Sequence, residues 1–405
     1  MIPRLLAPTL RALARKVPVV TVFGPRQSGK TMLCRAAFPR KPYANLEAPD
    51  VRQFALEDPR GFLGQFPAGA LLDEVQRAPE LLSYIQAEVD EHRTPGRYVL
   101  AGSQQWLLSE RISQSLAGRT ALLRLLPFSL AEMRGRYPAR TLDETLFRGF
   151  YPRIHDAWLD PAQALADYVE TYVQRDLRLL ANVRDLSLFV KFLGLLAGRT
   201  GQLLNLSQIS SDAGVSHTTA RQWLSLLEAG FIVHLLPPWF ANLGKRLVKA
   251  PKLYFVDVGL ACYLLGITAA AQLARHPLRG ALLENLVVLE ALKGFHHRGL
   301  APRMHFYRDS NGNEVDLLLE HGTGLYAVEV KAGATVASDY FKGLARFAAL
   351  MAGRLGAGAV VYGGDSARQR SGMQVAPALS CDRLFSRWLG KRLSAVAGRV
   401  LKRSA

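Results

Sequence analysis

The chain has 405 residues, a net charge of +18, 49% hydrophobic residues and 21% charged residues. This composition excludes a disordered chain, and no stretch approaches the roughly 18 consecutive apolar residues that a membrane-spanning helix needs. The length favours two or three domains, and the excess of Arg and Lys makes DNA the first partner to expect. An anionic membrane surface ranks second, and an arginine-favouring genome is the blander source of the same charge. Cys34, Cys262 and Cys381 are scattered and lack metal-ligand spacing, which fits a reducing cytoplasm.

Residues Ile2 to Lys16 are leucine-rich but interrupted by Arg4, Arg11 and Arg15. They read as a short amphipathic helix and not as a signal peptide. An apolar run from Val17 to Phe23 then predicts a strand, and Met32 to Phe38 a helix. Between them lie Gly24, Pro25, Arg26, Gln27, Ser28, Gly29, Lys30 and Thr31. Strand, G-x-x-x-x-G-K-T and helix are the context of a phosphate-binding loop, whose backbone N–H groups curl around an anion at a helix N-terminus. Lys30 is expected to reach the β- and γ-phosphates of a nucleotide such as ATP, and the Thr31 hydroxyl to ligate Mg²⁺. No Asn-Lys-x-Asp guanine reader follows.

Tyr43 to Leu46 predicts a second strand, and Ala70 to Glu74 a third that ends in two acids at the ligand edge of a parallel sheet. Asp73 is expected to complete the Mg²⁺ shell and Glu74 to polarise the attacking water. A helix over Glu80 to His92, a strand over Arg97 to Ser103 and another over Thr120 to Leu126 continue the α/β rhythm. Ser103 and Gln104 emerge at the expected γ-phosphate position. Arg119 precedes the last strand; it either reaches a neighbouring subunit's nucleotide or forms a salt bridge within its own chain.

Ala164 to Leu180 and Leu186 to Gly198 read as helices. From residue 203 to 236, a short helix, the turn at Gly214, a second helix capped by Ser216 and a strand follow the order of a winged helix. Thr218, Arg221 and Gln222 are placed to face a DNA groove, although such modules also serve as lids or protein contacts. Strands over His305 to Arg308, Glu314 to Glu320 and Leu325 to Val330 precede a helix from Ser338 and a strand from Gly358. A turn over residues 321–324 pairs positions that sum to 645, setting Asp316 opposite Glu329 and Glu314 opposite Lys331. Two carboxylates with a lysine can hold a divalent metal for phosphodiester cleavage, with Glu284 from the preceding helix as a further ligand. A cross-strand salt-bridge face is the alternative. The tail, Arg383 to Arg403, carries seven basic residues and no acid, and its apolar spacing predicts a basic amphipathic helix.

The hairpin with Asp316 and Glu329-Val330-Lys331 resembles the PD-(D/E)XK nuclease core, with Tyr307 and Arg308 as backbone contacts. Val315 stands where that family carries its proline. Taken with Leu72 to Arg77, Ala101 to Gln104, Ser115 to Arg119 and Gly312 to Asp316, the chain resembles prokaryotic AAA-type ATPases with a C-terminal domain of unknown function. The resemblance implies an α/β parallel-sheet ATPase core (1–155), a helical and winged-helix middle (156–275), an α/β nuclease-like domain (276–380) and a basic tail (381–405). It implies Mg²⁺-dependent ATP hydrolysis, a homo-oligomer with a hexamer as one form, and a cytoplasmic site. The C-terminal half is left open between DNA processing and a degenerate interaction module, the latter with an acidic protein as a partner.

Overall fold

The computed structural model describes residues 2–103, 115–138, 140–171, 185–239, 249–351 and 353–390. Two compact units form: Met1–Phe128 with Phe295–Leu300, and Ser129–Gly294 with Ala301–Gly390. The main segment of the first unit ends at Phe128.

The first unit opens with α1 (Ala7–Ala14), β1 (Val19–Phe23) and α2 (Lys30–Ala37), followed by β2 (Tyr43–Asn45), α3 (Pro49–Glu57), α4 (Pro59–Gly64) and β3 (Leu71–Asp73). It continues through α5 (Leu81–His92), β4 (Tyr98–Gly102) and β5 (Thr120–Arg124). The five strands lie in the order β2-β3-β4-β1-β5, and all pairs are parallel. Every residue of β1 is buried, as expected of a strand covered on both faces. Leu6 and Leu10 of the N-terminal segment share one core with Val20 and Val22 of β1 and with Leu33 and Cys34 of α2. The amphipathic N-terminus is thus an integral wall of this unit.

The loop after β1 has two positions that only glycine fills. A Cβ on Gly24 would stand 2.0 Å from the Leu125 carbonyl oxygen, and Gly29, at the head of α2, has φ +87°.

In the second unit, helices Leu186–Ala197, Leu206–Ala213 and His217–Ala229 precede the antiparallel pair β6 (Val233–Leu236) and β7 (Lys252–Phe255). Leu203 bridges antiparallel to Lys252. Ser216 caps its helix by accepting from the Thr219 N–H at 3.0 Å, and Gly214 makes the turn with φ +80°. Trp223 packs edge-on against Phe189 and Phe192, at 5.1 and 5.5 Å between ring centres. Thr218, Arg221 and Gln222 lie on the exposed face of the third helix.

The unit also contains a six-stranded mixed sheet in the order β12-β13-β11-β10-β9-β8. Its strands are β8 (Met304–Arg308), β9 (Glu314–His321), β10 (Gly324–Lys331), β11 (Leu355–Tyr362), β12 (Arg368–Arg370) and β13 (Met373–Pro377). The hairpin register holds as expected from Gly324–His321 to Val328–Leu317. Helix Lys342–Leu350 covers this sheet, with Leu344 and Phe347 in its core. The start of the tail is helical, as its apolar spacing predicts. Cys381–Trp388 is a helix whose Leu384, Phe385 and Trp388 are buried, and Trp388 stacks on Tyr326 at 5.0 Å. Residues 391–405 of the expected tail lie outside the described residues, as do residues 172–180 of the expected helix and Gln104.

Candidate functional site

Because the first sheet is parallel, the carboxyl ends of β1, β3 and β4 meet at one edge. β1 delivers the loop from Gly24 to Thr31, β3 delivers Asp73 and Glu74, and β4 delivers Ser103. Thr31 Oγ1 donates to Asp73 Oδ2 at 2.6 Å. Two oxygens that suit a hard cation therefore touch across 42 residues of sequence, and they fit Mg²⁺ held jointly with a nucleotide's phosphates. Asp73 also accepts from the Tyr43 hydroxyl at 3.1 Å and from the Glu74 N–H at 3.1 Å. Burial raises the Asp73 carboxyl above its ordinary range, while the Thr31 hydrogen bond works against that.

The Lys30 ammonium lies inside the loop and donates to the carbonyls of Gly24 (3.1 Å) and Pro25 (2.8 Å). Burial pulls its pKa down to about 8, although Glu74 and Asp73 oppose the shift. Glu74 sits in the left-handed region with φ +53°. Its carboxylate accepts from Ser103 Oγ at 3.1 Å and from the Gln76 side-chain amide. Ser103, expected to face phosphate, here holds the acid. Arg119 forms a two-bond pair with Asp90 (2.5 and 2.8 Å) on the exposed surface, and its carbonyl bonds Val19, at the opposite end of β1 from the loop.

Tyr43, Gln76 and Arg4 were not legible as part of this site. Arg4 is 7% exposed and donates to Ser28 O and Leu126 O. The only trace of it in sequence is a charge interrupting an apolar run.

The C-terminal constellation departs from expectation. Lys252, from β7, places its ammonium among three carboxylates: 2.8 Å from Glu284, 2.5 Å from Glu314 and 3.7 Å from Asp316. The Tyr254 hydroxyl donates to the same Glu284 oxygen. Glu314 pairs with Lys252 and Arg308 and not with Lys331, whose partner is Glu329 of its own strand at 2.7 Å. Asp316 turns its carboxylate onto the Val330 N–H at 2.8 Å. Tyr307 is buried against Phe347, so it is no backbone contact.

Among the described residues no group of three or more His, Cys, Asp or Glu stands where it could hold a metal ion. Of the expected set, Glu284 and Asp316 therefore share the Lys252 ammonium with Glu314, while Glu329 pairs with Lys331. Burial lowers the Lys252 pKa, but Glu284, Asp316 and Glu314 together raise it above the ordinary value. Burial, with Asp316 beside each, pushes Glu284 up to about 7 and Glu329 up to about 8. Glu329 Oε2 is buried without a hydrogen-bond partner.

A model of an AAA domain matches residues 16–134, and two models of domains of unknown function, DUF8612 and DUF4143, match residues 139–271 and 279–381. The uncharacterized protein Rv2008c of Mycobacterium tuberculosis is 33% identical over 333 residues, covering 81% of this chain and 74% of its own. The uncharacterized protein Mb2031c of Mycobacterium bovis matches to the same extent. Among solved structures, the Walker-type ATPase PABY2304 of Pyrococcus abyssi is 14% identical with a TM-score of 0.39, over 64% of this chain and 94% of that one. That likeness is too slight to carry the fold, which rests on the strand order and the AAA match.

Two outcomes follow from these geometries. Replacing Lys252 by Met strands the buried acids and should destabilise the second unit by about 3–5 kcal/mol, read as a lower urea midpoint. Anion binding favours the Lys30 ammonium, so affinity for a non-hydrolysable ATP analogue should be full below pH 8. It should weaken as pH rises through the Lys30 pKa of about 8, and a flat Kd between pH 7 and pH 9.5 would remove Lys30 from phosphate binding.

Proposed function

Since the chain belongs to the family of AAA-type P-loop ATPases that carry a C-terminal DUF4143 domain, we propose that it binds ATP with Mg²⁺, hydrolyses it, and acts on or responds to DNA. The observation that carries the ATPase reading is the meeting of Lys30, Thr31, Asp73 and Glu74 at one sheet edge. The backbone of residues 24–31 cradles the phosphates. Lys30 leaves its two carbonyls for the β- and γ-oxygens, and Thr31 and Asp73 hold the cation. Mg²⁺ supplies charge neutralisation on the transferring phosphoryl group. Glu74, oriented by Ser103 and Gln76, takes the proton of the attacking water. Arg119 acts in a neighbouring subunit after leaving Asp90, in a homo-oligomer of which a hexamer is one form.

The domain plan proposed is an ATPase core within 1–155, a helical and winged-helix middle over 156–275, a nuclease-like module over 276–380 and a basic tail. Three helices, the Leu203 bridge and the β6–β7 pair support the winged helix. Exposed Thr218, Arg221 and Gln222 supply its groove-facing side. No described helix is long and apolar enough to cross a membrane, and a cytoplasmic location is part of this reading. The Lys252 ammonium among Glu284, Glu314 and Asp316 favours a second reading for the C-terminal module, a nuclease-like shape kept for binding DNA or an acidic protein without cleavage.

ATP turnover measured with and without DNA tests the whole. Glu74→Gln should bind ATP yet lose about 10²–10⁴ in kcat, and Lys30→Ala should lose binding; equal turnover in Glu74→Gln and wild type removes the base. DNA affinity should fall steeply with salt, and Arg221→Ala should flatten the log–log slope by about 0.9 for one lost phosphate contact. An unchanged slope places DNA elsewhere.

A further inference from the structure

Arg4 lies outside the stretch matched by the AAA model, which begins at residue 16. Its guanidinium nevertheless reaches the phosphate loop. One terminal nitrogen donates to the Ser28 carbonyl at 2.5 Å and the other to the Leu126 carbonyl at 2.7 Å, with the group over the Phe128 ring at 4.9 Å. Leu126 follows β5, whose neighbour Leu125 takes its N–H to Phe23 O at 2.7 Å. The fork thus ties the tip of the loop to the strand beside it. Arg11, within α1, donates to Ala36 O (3.1 Å) and Ala37 O (3.2 Å) at the far end of α2. Two arginines of the N-terminal segment therefore hold the two ends of the helix that follows the loop.

We propose that Arg4 is a positioning residue for nucleotide binding: by fixing the Ser28 carbonyl outward, it aims the Gly29 N–H into the loop before any nucleotide arrives. The physical reason is the planarity of the trans peptide, in which C=O and N–H point in opposite directions. A carbonyl drawn toward Arg4 turns its own peptide's N–H toward the anion site. Gly29 has φ +87°, so the following residue is free to adopt the turn that this orientation requires. A free loop must otherwise order itself at the moment of binding, which weakens affinity. Lysine substitutes only in part, because its point-like ammonium lacks the rigid fork that spans two carbonyls.

The inference rests on nucleotide binding at this loop, so Lys30→Ala is measured alongside. Kd for a non-hydrolysable ATP analogue and the KM and kcat of ATP turnover are determined for wild type, Arg4→Ala, Arg4→Lys and Arg11→Ala. Arg4→Ala should raise Kd and KM about tenfold or more, the scale of losing an outer-sphere support, with kcat little changed. Arg4→Lys should recover only part of the loss despite keeping the charge, and added methylguanidinium should restore Arg4→Ala. Arg11→Ala should lower thermal stability without moving Kd. If Arg4→Ala unfolds, Arg4→Lys with the same Kd as wild type overturns the proposal. So does a folded Arg4→Ala that binds like wild type while Lys30→Ala does not. Normal binding by Lys30→Ala would instead overturn the nucleotide assignment itself.

Discussion

β1 has a parallel neighbour on each side, in register over all five of its residues. A strand so enclosed cannot turn aside at its end. Its chain must leave over the carboxyl edge of the sheet, and the residues that follow are pressed against the backbone of β5. The 2.0 Å approach of an imagined Gly24 Cβ to Leu125 O measures that pressure. The loop's shape, the start of α2 and the height at which Lys30 sits all follow from it. Asp73 and Glu74 arrive at the same edge because β3 runs in the same direction, so one topological constraint brings the candidate site together.

How much of this was legible in the sequence depended on the range of each contact. The loop was readable because its chemistry is local: glycines where no side chain fits, and a lysine and a threonine at fixed offsets. The acids of β3 were readable because an apolar run ending in charge marks the edge of a buried strand. The β9–β10 register followed from turn length and arithmetic, since a two-residue connection fixes the pairing. Lys252 gave no such signal. It reads as an ordinary strand residue, and only the fold brings it beside Glu284 on a helix and Glu314 and Asp316 on β9. Tyr43, Gln76 and Arg4 were missed for the same reason, as each acts on a group that sequence spacing does not tie to it.

The two charged centres treat positive charge in opposite ways. Lys30 is buried with its nearest hydrogen-bond partners being neutral carbonyls, and burial lowers its pKa. In the proposed function, that ammonium is the group that meets a nucleotide's phosphates. Lys252 is buried with its counterions already built in, and its pKa is raised.

The Lys252 arrangement also bears on how the effects of substitutions combine. Loss of the lysine alone leaves Glu284 and Asp316, both mostly buried, without their cation, while Glu314 keeps Arg308; loss of the acids alone leaves a buried bare ammonium. Each single substitution is worse than the starting point even where the double or triple replacement would be tolerated, which is the signature of strong epistasis. The four side chains are thus coupled, and what replacing any one of them does depends on which of the others are present.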